Sequence, residues 1–278
     1  GGVTFDQITA APALGIAVGA ANVDLVGSLN IRGLNLDAAN NAVLFSNLTG
    51  TGGVNLTGTL DIDSGTGLSF AGTLGTINIA NTAGSSLTID GAQRGIRFAN
   101  VTSGTVNIAS AAGSAAINGS TVSAIDLSGD TGGTLNYGGT TNATQGSILN
   151  VLNSVAGATL SGAITSTSVG TAFNFGNADG TYSVTGAVSH TGGAGVAVDA
   201  ASGGAITFSN ASKAFNSGAS TAINMAGTGT LSFTGGGLDI DTTSGTGFSA
   251  SGGTLVVTGA NNRIDTTTGQ ILGLSGVT

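Results

Sequence analysis

Residues 187–209 read AVSHTGGAGVAVDAASGGAITFS, and the fold is decided there. The stretch holds three short runs: Ala187-Val188-Ser189-His190, Gly195-Val196-Ala197-Val198-Asp199 and Ala205-Ile206-Thr207-Phe208-Ser209. Apolar and small polar residues alternate in each, the period-two signature of a strand with one buried side. Between the runs stand Thr191-Gly192-Gly193 and Ser202-Gly203-Gly204. Glycine suits such corners because it adopts positive φ without a Cβ clash. Three strands and three turns in about two dozen residues make one triangular coil, which cannot bury its apolar side alone. Stacking coils about 4.8 Å apart pairs every strand with its copies above and below and closes a core.

The unit recurs along the chain. Leu34-Asn35-Leu36-Asp37 returns as Leu60-Asp61-Ile62-Asp63 and again as Leu87-Thr88-Ile89-Asp90; Ala116-Ile117-Asn118 continues the series. Ala163-Ile164, Ala187-Val188 and Ala211-Ser212 follow at steps of 24. Asp241 and Asp265, in Leu238-Asp239-Ile240-Asp241-Thr242-Thr243 and Arg263-Ile264-Asp265-Thr266-Thr267, are also 24 apart. Phe45, Phe70 and Phe98 recur at close to the same interval and predict an internal phenylalanine stack; Phe208 and Phe233 predict a second. The expected fold is all-β: a right-handed parallel β-helix with about 24–28 residues per three-strand coil, one continuous solenoid over residues 1–278. Roughly eleven coils would make a rod of roughly 50 Å. The right-handed sense follows from the preference of parallel crossovers. Repeats of this length do not fit a propeller, and no unit of about 100 residues suggests immunoglobulin-like domains.

Composition agrees. Gly supplies 51 of 278 residues, charged residues are 6%, and there is one Pro and no Cys. All thirteen acids are Asp, with no Glu, and the five cations are Arg32, Arg94, Arg97, Lys213 and Arg263. Such a chain avoids helix and places its polar groups at corners, where Asp and Asn bond the local backbone. With 40% apolar residues it departs from the disordered class, and a single Pro departs from collagen. A net charge of −8 argues against nucleic acid as a partner, which needs clustered cations. The apolar stretch 10–23 is interrupted by Pro12, Gly15, Gly19 and Asn22 and is too short to span a bilayer, so it reads as solenoid core. The chain starts Gly1-Gly2-Val3 and stops at Val277-Thr278 with no change of composition, the look of a segment of a longer protein.

The phrase Gly252-Gly253-Thr254-Leu255-Val256-Val257-Thr258-Gly259-Ala260-Asn261-Asn262 resembles those of autotransporter-associated β-strand repeats and of giant bacterial β-strand-repeat surface proteins. Residues 238–248 and Gly2-Val3-Thr4-Phe5-Asp6-Gln7-Ile8 share the style. The resemblance implies a secreted or cell-surface passenger region with a β-helical shaft, found in adhesins. It carries no family active site onto particular positions.

Candidate chemistry is sparse. His190 is the one histidine and there is no Cys, which argues against zinc held by nitrogen and sulfur. At a strand end beside Gly192 and Gly193, His190 reads as a surface turn residue. Asp37, Asp63 and Asp90 fall at equivalent places in successive coils, and Asp239 with Asp241 share one side of a strand. These are the candidate Ca²⁺ ligands, but corner aspartates bonded to backbone are the preferred reading, and no cofactor is expected. Asp63, Asp90, Arg94 and Arg97 are the one grouping with the residue types of a polysaccharide lyase or hydrolase, although no Trp and two Tyr leave little for sugar stacking. Thr-rich corners at 242–243 and 266–268 read as solvated turns, and several Asn-x-Ser/Thr triplets match the glycosylation sequon, as chance alone produces in a chain this rich in Asn, Ser and Thr. The function expected is a structural or adhesive extracellular shaft without catalysis. Its expected partners are further copies, end to end or side by side, and a host, cell-surface or polysaccharide ligand; the alternative is a β-helical polysaccharide-degrading enzyme.

Overall fold

The computed structural model describes the backbone of residues 3–10, 16–24, 29–36, 41–49, 53–63 and 65–278, with side chains described from Val43 onward except at 49–52 and 64. Every regular element is a strand, and every pairing between strands is parallel. The strands fall on three faces of a triangular prism. Face A runs through Ser123–Ser128, Ser147–Ser154, Phe173–Ala178, Val196–Val198, Ile223–Met225, Phe248–Ala250 and Leu272–Leu274. Face B runs through Thr134–Tyr137, Gly157–Leu160, Thr181–Val184, Ala205–Phe208, Thr230–Phe233 and Thr254–Val257. Face C runs through Ser86–Asp90, Ser114–Asn118, Thr140–Ala143, Ile164–Ser166, Val188–Thr191, Lys213–Gly218, Leu238–Thr242 and Arg263–Thr266. The longer strands Gly53–Asp63, Thr66–Ile79 and Arg94–Ile108 bend round a corner and serve two faces each. Each strand thus meets its copy one coil later, the parallel β-solenoid expected from the alternation and consistent with the right-handed sense.

Alternation sets what the core contains. Thr134-Leu135-Asn136-Tyr137 and Thr181-Tyr182-Ser183-Val184 bury every second residue, so inward positions align into columns. On face A the column is Phe45, Phe70, Phe98, Leu127, Val151, Phe175 and Val198. Phe45 and Phe70 stack with centroids 5.3 Å apart, and Phe70 meets Phe98 at 5.3 Å. The second expected pair, Phe208 and Phe233, stacks at 5.1 Å. Leu34, Leu60 and Leu87 share one column, and Asp63, Asp90 and Asn118 follow each other at the strand end.

One alignment differs from the expected one. Ala211-Ser212 is not the counterpart of Ala187-Val188, because the coil there is one residue longer and Val188 pairs with Lys213. The extra residue puts a lysine in the column Ile62, Ile89, Ile117, Thr141, Ile164, Val188. Lys213 is 1% exposed. Its ammonium donates to the carbonyl oxygens of Thr234 (2.9 Å), Gly236 (2.6 Å) and Asn210. Burial lowers its pKa, and the three carbonyls supply the acceptors a buried ammonium needs.

Candidate functional site

Among the described residues, the charged side chains other than the inward Lys213 lie on the outward positions of faces A and C and at the corner between A and B. Arg94 opens a strand on face A, just past the turn at Gly91, where the chain has left face C. Arg94 Nε lies 3.0 Å from Asp126 Oδ2 on the next coil, and Arg97 Nε lies 3.8 Å from the same oxygen. The other oxygen of Asp126 accepts from Asn150 Nδ2 at 2.7 Å, and Asn150 in turn accepts from Asn174 at 2.9 Å. The result is a ladder climbing face A, with the Asp126 side chain 4% exposed at its foot. Asp90 sits on face C as the register partner of Asp63, and its carboxylate accepts from Asn118 at 2.8 Å. The four residues expected to group, Asp63, Asp90, Arg94 and Arg97, are therefore shared between two faces, and the arginines' ion pairs run to Asp126. Reading the chain alone passes over Asp126 because its coil is longer than the repeat seen elsewhere, which hides that Arg97 and Asp126 are register partners.

An alanine at 126 leaves two arginines side by side without their shared carboxylate and Asn150 without an acceptor. Asp126→Ala is expected to cost about 1.5–3 kcal/mol, the range for hydrogen bonds to charged groups, measured by urea denaturation. A loss below about 0.5 kcal/mol would show that the ladder is screened out by solvent.

The calcium candidates have partners of a different kind. Asp239 pairs with Arg263 Nε at 2.9 Å, and the same guanidinium reaches Asp265 and, at 3.4 Å, Asp241. These carboxylates raise the Arg263 pKa further above its already high value, the Asp239 hydrogen bond first. One cation from the next coil thus serves three acids on an exposed surface. Among the described residues no group of three or more Asp or His is arranged to hold a metal ion. Asp37 lies outside the described residues. A depression of about 560 Å³ beside this cluster is lined by Lys213, Asp239, Asn262 and Arg263 among others, but the ammonium and the guanidinium there are already engaged as described.

Three other aspartates, at the corner between faces A and B, accept hydrogen bonds from backbone and hydroxyl donors. Asp199 is pushed up by burial, but hydrogen bonds from Asn177 N–H (3.0 Å), Ser202 Oγ (2.7 Å) and Ala201 N–H (3.1 Å) outweigh that and hold its pKa below the usual range. Asp179 accepts from Gly203 N–H at 2.8 Å. Asp130 binds three coils together: Val101 N–H donates to it at 2.7 Å from one coil, and Ser154 Oγ donates at 3.0 Å from another.

Asp130 is 2% exposed, and burial, the largest influence, pushes its carboxyl from 3.8 up to about 6. Because the folded state holds this proton more firmly than the unfolded one, its contribution is fully present below about pH 4 and fades as pH rises through about 6. Asp130→Asn is expected to remove that decline, so the melting temperature of wild type minus variant falls between pH 4 and 7. Parallel pH profiles would contradict the assignment.

His190 departs from the expected surface turn. It is 1% exposed, on the inward column between Ser166 and Phe215, with Nε2 donating to the Gly193 carbonyl at 3.0 Å. The two tyrosines are likewise inside: Tyr137 Oη donates to the Thr140 carbonyl at 2.7 Å and Tyr182 Oη to that of Ser154 at 3.1 Å. Face B, by contrast, carries no charge from Gly53 to Val257. Its outward positions include Asn55, Asn78, Asn107 and Asn136, whose amides hydrogen-bond in series at 2.9–3.1 Å, followed by Thr159, Ser183, Thr207 and Ser232. Among the described residues no helix is long and apolar enough to cross a membrane. No family model, no curated protein and no solved structure matches the chain.

Proposed function

We propose that the protein is a structural and adhesive shaft of an extracellular bacterial surface or filament-forming protein, without catalysis of its own. The observation that carries this reading is the continuity of the three faces. From residue 53 onward no connection between strands exceeds six residues, as at 80–85, 167–172 and 199–204, so the described coils carry no long loops to wall a substrate cleft. The charged groups support it too. Asp126, Arg94 and Arg97 are engaged with one another, and both tyrosines are buried away from any sugar. A rod of this kind works by projecting or tiling. The uncharged side B and the strand edges of the coil ends are the surfaces through which copies would associate, laterally or end to end. Adhesion to a host, cell-surface or polysaccharide target would use the same sides.

Two measurements test this. Static light scattering across a wide concentration range is expected to show growth beyond the monomer; a strict monomer throughout would remove the assembly part of the proposal. Incubation with acidic and neutral polysaccharides is expected to release no new reducing or unsaturated ends. Release that disappears in Asp126→Asn would replace the shaft with a β-helical polysaccharide-degrading enzyme.

A further inference from the structure

His190 occupies a place where a neutral imidazole fits and a charged one does not. Its column reads Ala143, Ser166, His190, Phe215, Ile240. Because the Gly193 carbonyl is an acceptor, Nε2 must carry the ring proton. Nδ1 then holds a lone pair, and this buried atom has no hydrogen-bond partner. A second proton would have to go to Nδ1, where no protein acceptor receives it and the atom is shielded from solvent.

The surroundings offer no compensation. Ile164–Ser166, on one side, has no titratable group. Lys213–Gly218, on the other, contributes Lys213, a second buried base two positions from Phe215, the register partner of His190. Across the core, Phe173–Ala178, Val196–Val198 and Ala205–Phe208 have none, and Thr181–Val184 contributes only Tyr182. Between Asp130 and Asp239 the chain has two carboxylates, Asp179 and Asp199, both already bonded to backbone at the corner between faces A and B. Two buried bases thus share neighbouring strands with no acid between them. Burial lowers the His190 pKa from its ordinary 6.5, the Gly193 hydrogen bond opposing only in part.

We propose that His190 is an acid-sensitive latch, whose protonation at Nδ1 opens the coils carrying residues 164–166, 188–191 and 213–216 while the rest of the solenoid stays folded. Local opening is available to a solenoid because each coil is held only by its two neighbours. The folded His190 pKa lies below the unfolded one, so this segment keeps its full stability above about pH 6.5 and loses it as pH falls below that value.

Hydrogen exchange on the whole chain, compared at pH 7.5 and 5.0 after correction for intrinsic rates, tests the latch. An opened His190 that titrates at 6.5 while the closed one stays neutral raises the open population about thirtyfold at pH 5.0. Protection at 188–191 and 213–216 is expected to fall, by up to that factor. His190→Asn, whose amide can still donate to the Gly193 carbonyl but does not titrate, is expected to show no such fall. The corner at Asp130, whose carboxyl gains its proton in the folded state over this range, is the internal control and is expected to keep its protection. Equal protection of 188–191 at both pH values, a loss spread evenly over all coils, or the same loss in His190→Asn would each overturn the proposal. The comparison of segments within the wild type decides the matter even if the variant does not fold.

Discussion

Phe208→Ala is expected to destabilise the C-terminal half of the solenoid by about 3–5 kcal/mol, the range for removing a buried aromatic ring. Phe208 is wholly buried and is the hub of an aromatic cluster. Its ring stacks on Phe233 at 5.1 Å, meets Phe173 edge-on at 5.0 Å and lies 6.1 Å from Phe215. Those partners come from three faces, Phe233 one coil above on face B, Phe173 on face A and Phe215 on face C, so the ring ties the prism together across its axis. The loss is best read as reduced exchange protection in 196–233, because a solenoid need not unfold in one step. A loss under about 1 kcal/mol would mean that the cluster is loosely packed.

A backbone position gives the second large effect. Gly186 lies at the corner between faces B and C, directly above Gly162, which lies above Gly139. A Cβ on Gly186 would fall 1.8 Å from the Gly162 carbonyl oxygen, and one on Gly162 would fall 1.9 Å from that of Gly139. The obstacle is a neighbouring backbone, which cannot swing aside as a side chain can. Gly186→Ala is expected to cost about 3 kcal/mol, at the upper end for overpacking, seen as a lowered denaturation midpoint. Gly84 makes the contrast: it has positive φ, but nothing lies within 4 Å of its Cβ position. Gly84→Asn, which tolerates that conformation, is expected to change stability by less than about 1 kcal/mol. Equal effects at the two sites would show that the corners do not pack as tightly as described.

The contrast between legible and illegible features has a physical basis. Columns such as Phe45–Phe70–Phe98 can be read from spacing because a residue facing inward must recur once per coil. Parity within a strand is also readable: Val188 and His190 are two apart, so alternation alone places both inward. The expectation of a surface histidine set aside that pattern in favour of the residue's polarity and its glycine neighbours. Lys213 is harder to find, since one extra residue in its coil shifts a lysine into a position that Val188 predicts to be apolar. The pairing of Arg94 and Arg97 with Asp126 depends on coil length in the same way. Nearness in sequence suggested Asp90 instead, but the corner at 91–93 turns the chain onto another face. Shape and core therefore follow from periodicity, whereas partners on the outer surface require the register of each coil. The proposed surface role is supported by a resemblance in phrasing and by the short connections between strands.

Cryo-electron microscopy of the protein in its native setting shows whether the solenoid assembles as a shaft. Rods with an axial spacing of about 4.8 Å between coils are expected, repeated along a fibre or tiled in a layer outside the cell, with coil ends or flat sides in contact. Isolated particles away from any surface assembly, with a groove occupied by polysaccharide over Asp90 and Arg94, would contradict it.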